Sequence, residues 1–174
     1  MKGSDLVAKF LAERKIKYVF GIIGAGNAHI FDSIHNLGYT QIVCVHHEQA
    51  ACMAIQTFYR TRGEITAALL TTGAGSTNGI TGVVSAWADS IPGIIISGNE
   101  HFKYVSSHKN LRMWGVQGYD SSLMVEKVTK YAKRVESPNQ IMFELEKAYE
   151  IALDGRKGPC WIDIPMNVQS ENTI

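Results

Sequence analysis

The sequence has no apolar run of the roughly 18 residues that a membrane-spanning helix requires. It also has no large excess of one charge, since 17 basic residues oppose 16 acidic residues and the formal net charge is +1. This balance gives no electrostatic reason to expect nucleic acid or an anionic membrane as a partner. The three cysteines, Cys44, Cys52 and Cys160, are odd in number and form no Cys-x-x-Cys pair. Their apolar neighbours predict buried free thiols in a cytoplasmic protein.

The sequence does contain a regular alternation of two hydrophobic patterns. Short apolar runs predict strands at residues 18–23, 41–46, 66–72, 93–97, 127–135 and 160–164. Helical periodicity predicts helices at residues 5–14, 28–36, 49–62, 77–88 and 141–153. Residues 100–122 break the alternation, and a loop this long in a compact domain is often functional. We therefore predict one α/β domain over residues 1–174, a doubly wound, mainly parallel six-stranded sheet with helices on both faces.

Glycine and polar residues follow four of the predicted strands. They form the segments Gly24-Ala25-Gly26, His46-His47-Glu48, Gly73-Ala74-Gly75 and Ser97-Gly98-Asn99. In a parallel sheet these segments lie on one edge, where ligands bind. Glycines there let the backbone approach a ligand, and helix N-termini offer free N–H groups. The sequence therefore predicts a ligand site at the carboxyl ends of the strands.

The residues alone leave two interpretations of Glu48. A carboxylate in the first turn of a helix is favoured by the helix dipole, typically by about 0.3–1 kcal/mol. The same carboxylate could instead meet a ligand at the strand end. The preceding His46 and His47 do not predict a metal site, because adjacent strand residues point to opposite faces and no third ligand stands at a useful spacing.

A dinucleotide-binding loop is an alternative for the first glycine turn. The stretch 24-GAGNAH-29 is similar to that fingerprint, and Glu48 follows roughly where a ribose-binding acid is expected. His29, however, replaces the third glycine, and the loop 73-GAGSTNG-79 has an extra residue before its last glycine. A nicotinamide site therefore stays open as the alternative, whereas the Gly-Lys-Ser/Thr ending of a phosphate loop is absent.

Four longer stretches together resemble one known family. They are FGIIGAGNAHIFDSI, HHEQAACMAIQTFYRTRG, LLTTGAGSTNGITGVVSAWADSIPGIIISGN and GPCWIDIPMNVQ. In order and spacing they are similar to the N-terminal pyrimidine-binding domain of thiamine diphosphate enzymes, over residues 4–169. Within that family they are most similar to the acetolactate synthase large subunit. The resemblance implies decarboxylation of pyruvate or a related 2-oxoacid, followed by carboligation to an acceptor.

The resemblance also implies a catalytic, cofactor-binding role for Glu48. The family's glutamate shares a proton with N1′ of the cofactor's aminopyrimidine and favours the imino tautomer, which takes the proton from the thiazolium C2. That role requires a carboxyl group shielded from water.

By the same matching, Ile23, Gly24, Gly75 and Asn78 are implied contacts of the pyrimidine, and Gln117 in 115-GVQGYD-120 faces the substrate. Without the order of the motifs, these residues would be turn glycines, a helix-capping amide and a solvated amide.

Several departures from the family pattern leave the substrate open. They lie at Ile23 and Ala74, where prolines are usual, and at Ala25 and Gly118. Three histidines are candidates for substrate contact, although ordinary helix and loop positions also explain them: His29, His101 and His108.

The family's Gly-Asp-Gly motif, which binds Mg²⁺ and the diphosphate, does not occur in this sequence. The resemblance therefore implies a diphosphate-binding partner domain or subunit, and it leaves FAD open as a further cofactor of the parent enzyme. We expect the chain to be an excised domain or a natural subunit, inactive alone. A non-catalytic regulatory or assembly module of the same fold is a third interpretation, which Glu48 beside two glycine loops argues against.

Small residues line the two helices that follow Glu48 and Gly75. They are Ala50, Ala51, Ala54, Gly79, Gly82 and Ala86. Such residues let helices approach within roughly 8–10 Å, either inside one chain or between two chains. Because the family places its cofactor between chains, the resemblance favours a homodimer through these helices, with Met53 and Trp87 adding apolar contact.

Overall fold

A six-stranded sheet forms the centre of the fold. The computed structural model describes residues 1–105, 110, 112–113 and 115–174. The strands are β1 (Tyr18–Gly21), β2 (Gln41–Cys44), β3 (Ala67–Leu70), β4 (Gly93–Asn99), β5 (Tyr131–Arg134) and β6 (Pro159–Pro165). They lie in the order β2-β1-β3-β4-β6-β5, and each neighbouring pair is parallel. The predicted doubly wound α/β sheet is confirmed.

Helices connect and cover the strands. The five predicted ones are α1 (Gly3–Glu13), α2 (Ala28–Leu37), α3 (Glu48–Arg62), α4 (Ala74–Ala88) and α7 (Ile141–Leu153). Three more are α5 (Phe102–Val105), α6 (Ser121–Val125) and α8 (Met166–Ser170), which are too short to show helical periodicity in the sequence. His108, one of the three histidines considered for substrate contact, lies outside the described residues. None of the helices in the described part of the chain has the length and hydrophobicity of a membrane span.

Alternate strand residues build a separate core on each face of the sheet. In β4, Ile94 and Ile96 join the larger core, whereas Ile95 joins the smaller one. In β6, Ile162 and Trp161 divide in the same way. Burying one such aliphatic side chain contributes roughly 1.5–3 kcal/mol, so two covered faces hold the central strands firmly. Near-continuous apolar strands in the sequence therefore reflect burial on both faces.

Cys44 corrects the prediction that all three cysteines are buried. Cys52 and Cys160 are buried free thiols, as predicted, but Cys44 is exposed. Its strand, β2, lies at the edge of the sheet and has a neighbouring strand on one side only. An apolar neighbourhood in the sequence does not distinguish an edge strand from a central one.

The small residues of α3 and α4 are used mainly inside the chain. A Cβ atom on Gly82 would lie 2.5 Å from the Cβ atom of Cys52, and one on Gly79 would lie 3.1 Å from the Cys52 Sγ atom. Ala51 and Ala86 are buried as well. These four residues therefore pack α3 against α4, which corrects their assignment to a dimer interface. The large exposed apolar residues of the two helices are Met53, Val84 and Trp87.

A buried polar network joins β4 and β6 to the start of α6. Asp163 is fully buried, and its Oδ1 atom accepts hydrogen bonds from Ser97 Oγ at 2.5 Å and Ser121 Oγ at 2.9 Å. Its Oδ2 atom accepts from Asn99 Nδ2 at 2.7 Å. The Trp161 indole N–H donates to Ser121 Oγ at 3.2 Å. Burial raises the pKa of Asp163 to about 7, although the three donors act to lower it.

Replacing Gly82 by leucine tests the packing of α3 on α4. We expect Gly82→Leu to lower the free energy of unfolding by about 3 kcal/mol, because the new side chain must displace the Cys52 backbone. Urea unfolding at one protein concentration measures the change. The matched variant Thr81→Leu enlarges an exposed position of the same helix and should leave the midpoint nearly unchanged. Equal stability of the two variants would show that the helices separate easily.

The pH dependence of stability tests the Asp163 network. Because the folded pKa is raised to about 7, the folded chain binds more protons than the unfolded chain between about pH 4 and 7. The contribution of Asp163 to the free energy of unfolding should therefore fall as pH rises through this window and stay constant above it. Denaturant unfolding of the unaltered chain and of Asp163→Asn at several pH values measures the slope of the free energy of unfolding against pH that is due to Asp163.

The exposed Asp32→Asn variant serves as the control and should keep the slope of the unaltered chain. The Trp161 indole N–H resonance provides a second readout that needs no variant to fold. It should titrate with a midpoint near 7 because its acceptor, Ser121, is bonded to Asp163. A resonance that stays constant from pH 5 to 9 would contradict the assignment.

Candidate functional site

The strand order places a crevice between the ends of β1 and β3. The chain leaves β1 for β2 on one side and then returns to β3 on the other side. In open α/β sheets, ligands bind at such a reversal, outside the carboxyl ends of the strands. The turn at Gly24 and the loop at Gly73–Gly75 border this crevice, and Glu48 follows the neighbouring strand β2.

Glu48 is the first residue of α3, and its carboxylate points into the chain. The residue is only 8% exposed. The Asn78 Nδ2 atom, on α4, donates a hydrogen bond to Glu48 Oε2 at 3.0 Å. The Oε1 atom lies beside Gly75, where an added Cβ would be 3.0 Å away. The predicted residues Glu48, Gly75 and Asn78 are therefore brought together, with one carboxylate oxygen held by an amide.

The N-terminus of α3 is capped by a side chain other than that of Glu48. The Gln49 backbone N–H donates to His47 Nδ1 at 3.2 Å, so His47 is the capping residue. Glu48 lies in the favourable half of the helix dipole, but the contact of its carboxylate with Asn78 shows that it also faces the loop after β3. The helix dipole therefore accounts for the position of Glu48 in the first turn, but not for the contact of its carboxylate with Asn78.

The turn after β1 is a closed loop that lies against the end of β3. The Gly24 N–H donates to Asn27 Oδ1 at 2.8 Å, and Asn27 Nδ2 donates to the Ile22 carbonyl at 3.1 Å. An added Cβ on Gly24 would lie 2.4 Å from Thr71 Oγ1, so only glycine allows this approach. Ile23, which is predicted to contact the cofactor, is 59% exposed at the tip of the turn.

Thr71 is a site residue that the sequence analysis missed. Its Oγ1 atom accepts a hydrogen bond from the Gly26 N–H at 3.2 Å. Its Cγ2 atom would lie 2.5 Å from a Cβ on Gly75. Thr71 therefore joins the two glycine loops, and its position directly before the second loop is the only signal in the sequence that could have indicated it.

Gln117 and Tyr119 hold the loop after β3 from the outside. Gly73 has a positive φ of 65°, and an added Cβ there would collide with Gln117. Gln117 Oε1 accepts from the Ala74 N–H at 3.0 Å, and the Tyr119 hydroxyl donates to the Gly73 carbonyl at 2.6 Å. Burial raises the pKa of Tyr119, which keeps the phenol a donor. The Asn99 Nδ2 atom, part of the Asp163 network, donates to the Tyr119 carbonyl at 2.8 Å.

An open cavity of about 520 Å³ lies next to the contacts of Gln117 and Tyr119 with the Gly73 loop. It is lined by Gly73, Ala74, Thr77, Met113, Val116, Gln117 and Tyr119. The predicted substrate-side residue Gln117 is therefore at a cavity and in contact with the same glycine loop that carries Gly75. The described contacts do not join Gln117 directly to Glu48.

Cys52 lies one helical turn after Glu48 but adds no second charge to the site. Burial, and to a smaller extent the charge of Glu48, raises the pKa of Cys52 to about 12. The thiol therefore stays neutral at physiological pH. Among the residues that the structure describes, no group of three or more His, Cys, Asp or Glu side chains is placed to hold a metal ion.

The dinucleotide-binding alternative is not favoured by the strand order. The usual dinucleotide fold has the order 3-2-1-4-5-6, which places β1 between β2 and β4. Here β1 lies between β2 and β3. The acid that would bind the ribose, Glu48, is instead bonded to Asn78 after β3.

Acetolactate synthase large subunits are similar to almost the whole chain. It is 34% identical to the acetolactate synthase large subunit of Haemophilus influenzae over 172 residues, which is 99% of this chain and 29% of the relative. It is 32% identical to the acetolactate synthase isozyme 3 large subunit of Escherichia coli over 171 residues, 97% of this chain and 28% of the relative. The chain thus spans less than a third of the length of these relatives.

A family comparison agrees with these similarities. Residues 1–123 match the family described as "Thiamine pyrophosphate enzyme, N-terminal TPP binding domain". The match covers the Gly24 turn, Glu48, the Gly73–Asn78 loop and Gln117, which are the segments that the fold gathers at one edge of the sheet. The chain belongs to the family of N-terminal thiamine pyrophosphate-binding domains of thiamine pyrophosphate enzymes.

Proposed function

We propose that this chain supplies the pyrimidine-binding half of a thiamine diphosphate site in an acetolactate synthase-like enzyme. Its substrate would be pyruvate or a related 2-oxoacid, which is decarboxylated and then joined to an acceptor. The observation that carries the proposal is the buried Glu48 carboxylate, held by Asn78 beside the bare backbone of Gly75. The similarity to acetolactate synthase large subunits supports the choice of reaction.

The residues present fit a nitrogen-containing ring at this point. The Asn78 amide is hydrogen-bonded to Glu48 Oε2, so Oε1 is the oxygen available to a ring nitrogen. Gly75 keeps the space beside Oε1 free of a side chain. The turn at Ile23 and Gly24 forms the other wall of the crevice and would contact the ring's face.

When bound, thiamine diphosphate supplies the carbon nucleophile and the electron sink that stabilises a carbanion after decarboxylation. Glu48 would hold and share a proton at Oε1, and its burial keeps water from competing for that proton. Asn78 would orient the carboxyl group through its amide. Gln117 would face the substrate from the neighbouring cavity, where Met113 and Val116 offer apolar surface to a short 2-oxoacid.

The remaining parts of the site would come from elsewhere. We propose that a diphosphate-binding domain or partner subunit contributes the Mg²⁺ site, and that any FAD of the parent enzyme binds outside this chain. The chain by itself would then turn over no pyruvate. We also propose a homodimer through the exposed apolar side of α3 and α4, which presents Met53 and Val84. Trp87, which the sequence analysis assigned to this contact, lines a cavity at the end of α4 and is left out of the proposed interface.

Replacing Glu48 by glutamine tests the cofactor assignment. In a chimera, this chain would replace the corresponding segment of the Haemophilus influenzae acetolactate synthase large subunit. We expect Glu48→Gln to lower turnover of pyruvate by about 100-fold or more, because an amide cannot share the proton. The matched control Glu64→Gln changes an exposed carboxylate and should leave turnover unchanged. Near-normal activity of the Glu48 variant would contradict its assignment to the cofactor.

A binding measurement on the chain itself keeps this test independent of chimera assembly. Thiamine diphosphate added to the ¹⁵N-labelled chain should shift the backbone amide resonances of Glu48, Gly75 and Asn78. The same titration with Glu48→Gln should give smaller shifts at these residues. Shifts confined to other parts of the chain would place the ligand elsewhere.

A charge on the outer face of α4 tests the dimer. Val84→Asp should weaken self-association by about tenfold or more, since a carboxylate would have to be buried in an apolar contact. Light scattering over a concentration series measures the association. Leu37→Asp, at an exposed apolar position on α2, is the matched control and should have no effect. A strict monomer at the highest concentration, or equal effects of both variants, would count against this interface.

A further inference from the structure

A second cavity lies at the amino ends of the strands, on the edge opposite Glu48. Its volume is about 320 Å³, and its lining residues come from three segments that meet there. Trp87 and Ala88 are at the end of α4, Lys130 directly precedes β5, and Arg156 and Lys157 precede β6. This volume is at the lower end of the range, about 300–1,000 Å³, of sites for small molecules.

Three cations line this cavity, and each is held by a neutral partner. Arg156 Nε donates to Ser90 Oγ at 2.8 Å. Lys130 Nζ donates to the backbone carbonyl of Asp154, and Lys157 Nζ donates to the Tyr59 hydroxyl. In the described part of the chain, none of the three forms an ion pair, in contrast to Arg14, Arg60 and Arg134.

Neutral partners position these side chains without cancelling their charge. Within the residues that the structure describes, each lysine ammonium uses one of its three donors, and the Arg156 guanidinium keeps both Nη groups for another acceptor. Several free, charged donors around one concave surface match the oxygen atoms of a phosphate group. The chain's net charge is only +1, so this is a local concentration of positive charge.

An indole ring forms another wall of the cavity. Trp87 is 40% exposed, so part of its indole faces solvent. An added Cβ on Gly158 would lie 3.6 Å from Trp87 Cε3 and 3.0 Å from Lys130 Cγ. Because Gly158 has no side chain, the Trp87 indole and the aliphatic part of Lys130 can both lie close to its backbone. The exposed part of the indole offers a surface on which a planar ring can stack.

The helix dipole explains only part of this arrangement. The C-terminal ends of α4 and α7 lie at this edge and attract cations. Lys130 follows that rule, since it donates to a carbonyl at the end of α7. Arg156 and Lys157 instead bind hydroxyl groups. The neighbouring acid Asp89 is already paired with Arg60.

We propose that this cavity binds a phosphorylated ligand of the nucleotide class. Its phosphates would lie against Lys130, Arg156 and Lys157, and its planar base would stack on Trp87. The proposal does not depend on the thiamine diphosphate site, which is at the other edge of the sheet and uses none of these residues.

Titration with ADP tests the proposal on the 174-residue chain. We expect saturable binding by calorimetry, together with quenching of tryptophan fluorescence. The quenching should disappear in Trp87→Phe, which removes the indole but keeps a ring on which the base can stack. Inorganic phosphate and adenosine, titrated separately, should each bind at least about tenfold more weakly than ADP, because each provides only half of the contacts.

Two charge variants complete the test. Arg156→Gln should weaken ADP binding by about tenfold, since it removes charged hydrogen bonds to phosphate. Lys147→Gln is the matched control, because Lys147 is an exposed cation over the Tyr131 ring outside the cavity, and it should bind ADP normally. The absence of saturable binding up to about 10 mM ADP would overturn the proposal. An equal loss of ADP affinity in both variants would also overturn it. Equal affinity for inorganic phosphate and ADP would overturn the assignment to nucleotides, because the base would then add nothing to binding.

Discussion

The close contact between α3 and α4 is the constraint on which the candidate site depends. Because Gly79 and Gly82 have no side chains, the two helices meet across Cys52. This approach brings Asn78, at the start of α4, within 3.0 Å of the Glu48 carboxylate at the start of α3. The geometry of the site is therefore set by contacts between the helices within about one turn of it. A larger residue at Gly82 would push α4 away from Cys52 and so away from the helix that carries Glu48.

The second support of the site is polar and comes from the other half of the sheet. Asp163 binds Asn99, and Asn99 in turn binds the backbone of Tyr119. Tyr119 and Gln117 then hold the loop at Gly73. A carboxylate buried in β6 is thus connected through hydrogen bonds to the glycine loop beside Glu48. Such networks stabilise a unique arrangement only when all members are satisfied, which explains the three donors gathered around one acid.

The two edges of the sheet differ in their chemistry because the chain runs through it in one direction. At the carboxyl edge, helix N-termini and glycine loops surround the buried acid Glu48. At the amino edge, helix C-termini meet Lys130, Arg156 and Lys157. A parallel sheet gives each edge one kind of helix end, so the edge at Glu48 and the cavity at Trp87 present different chemical groups.

The sequence by itself determined the parallel six-stranded sheet, its long helices and the grouping of Glu48 with the glycine loops, because hydrophobic period and strand-end residues are local signals. It could not show that Thr71 joins the loops or that Cys44 lies on an edge strand, since neither strand order nor distance between segments is local. It also could not distinguish whether Gly82 faces another chain or its own neighbouring helix. Small residues allow both, and only the tertiary structure decided, because it placed Cys52 directly against that glycine.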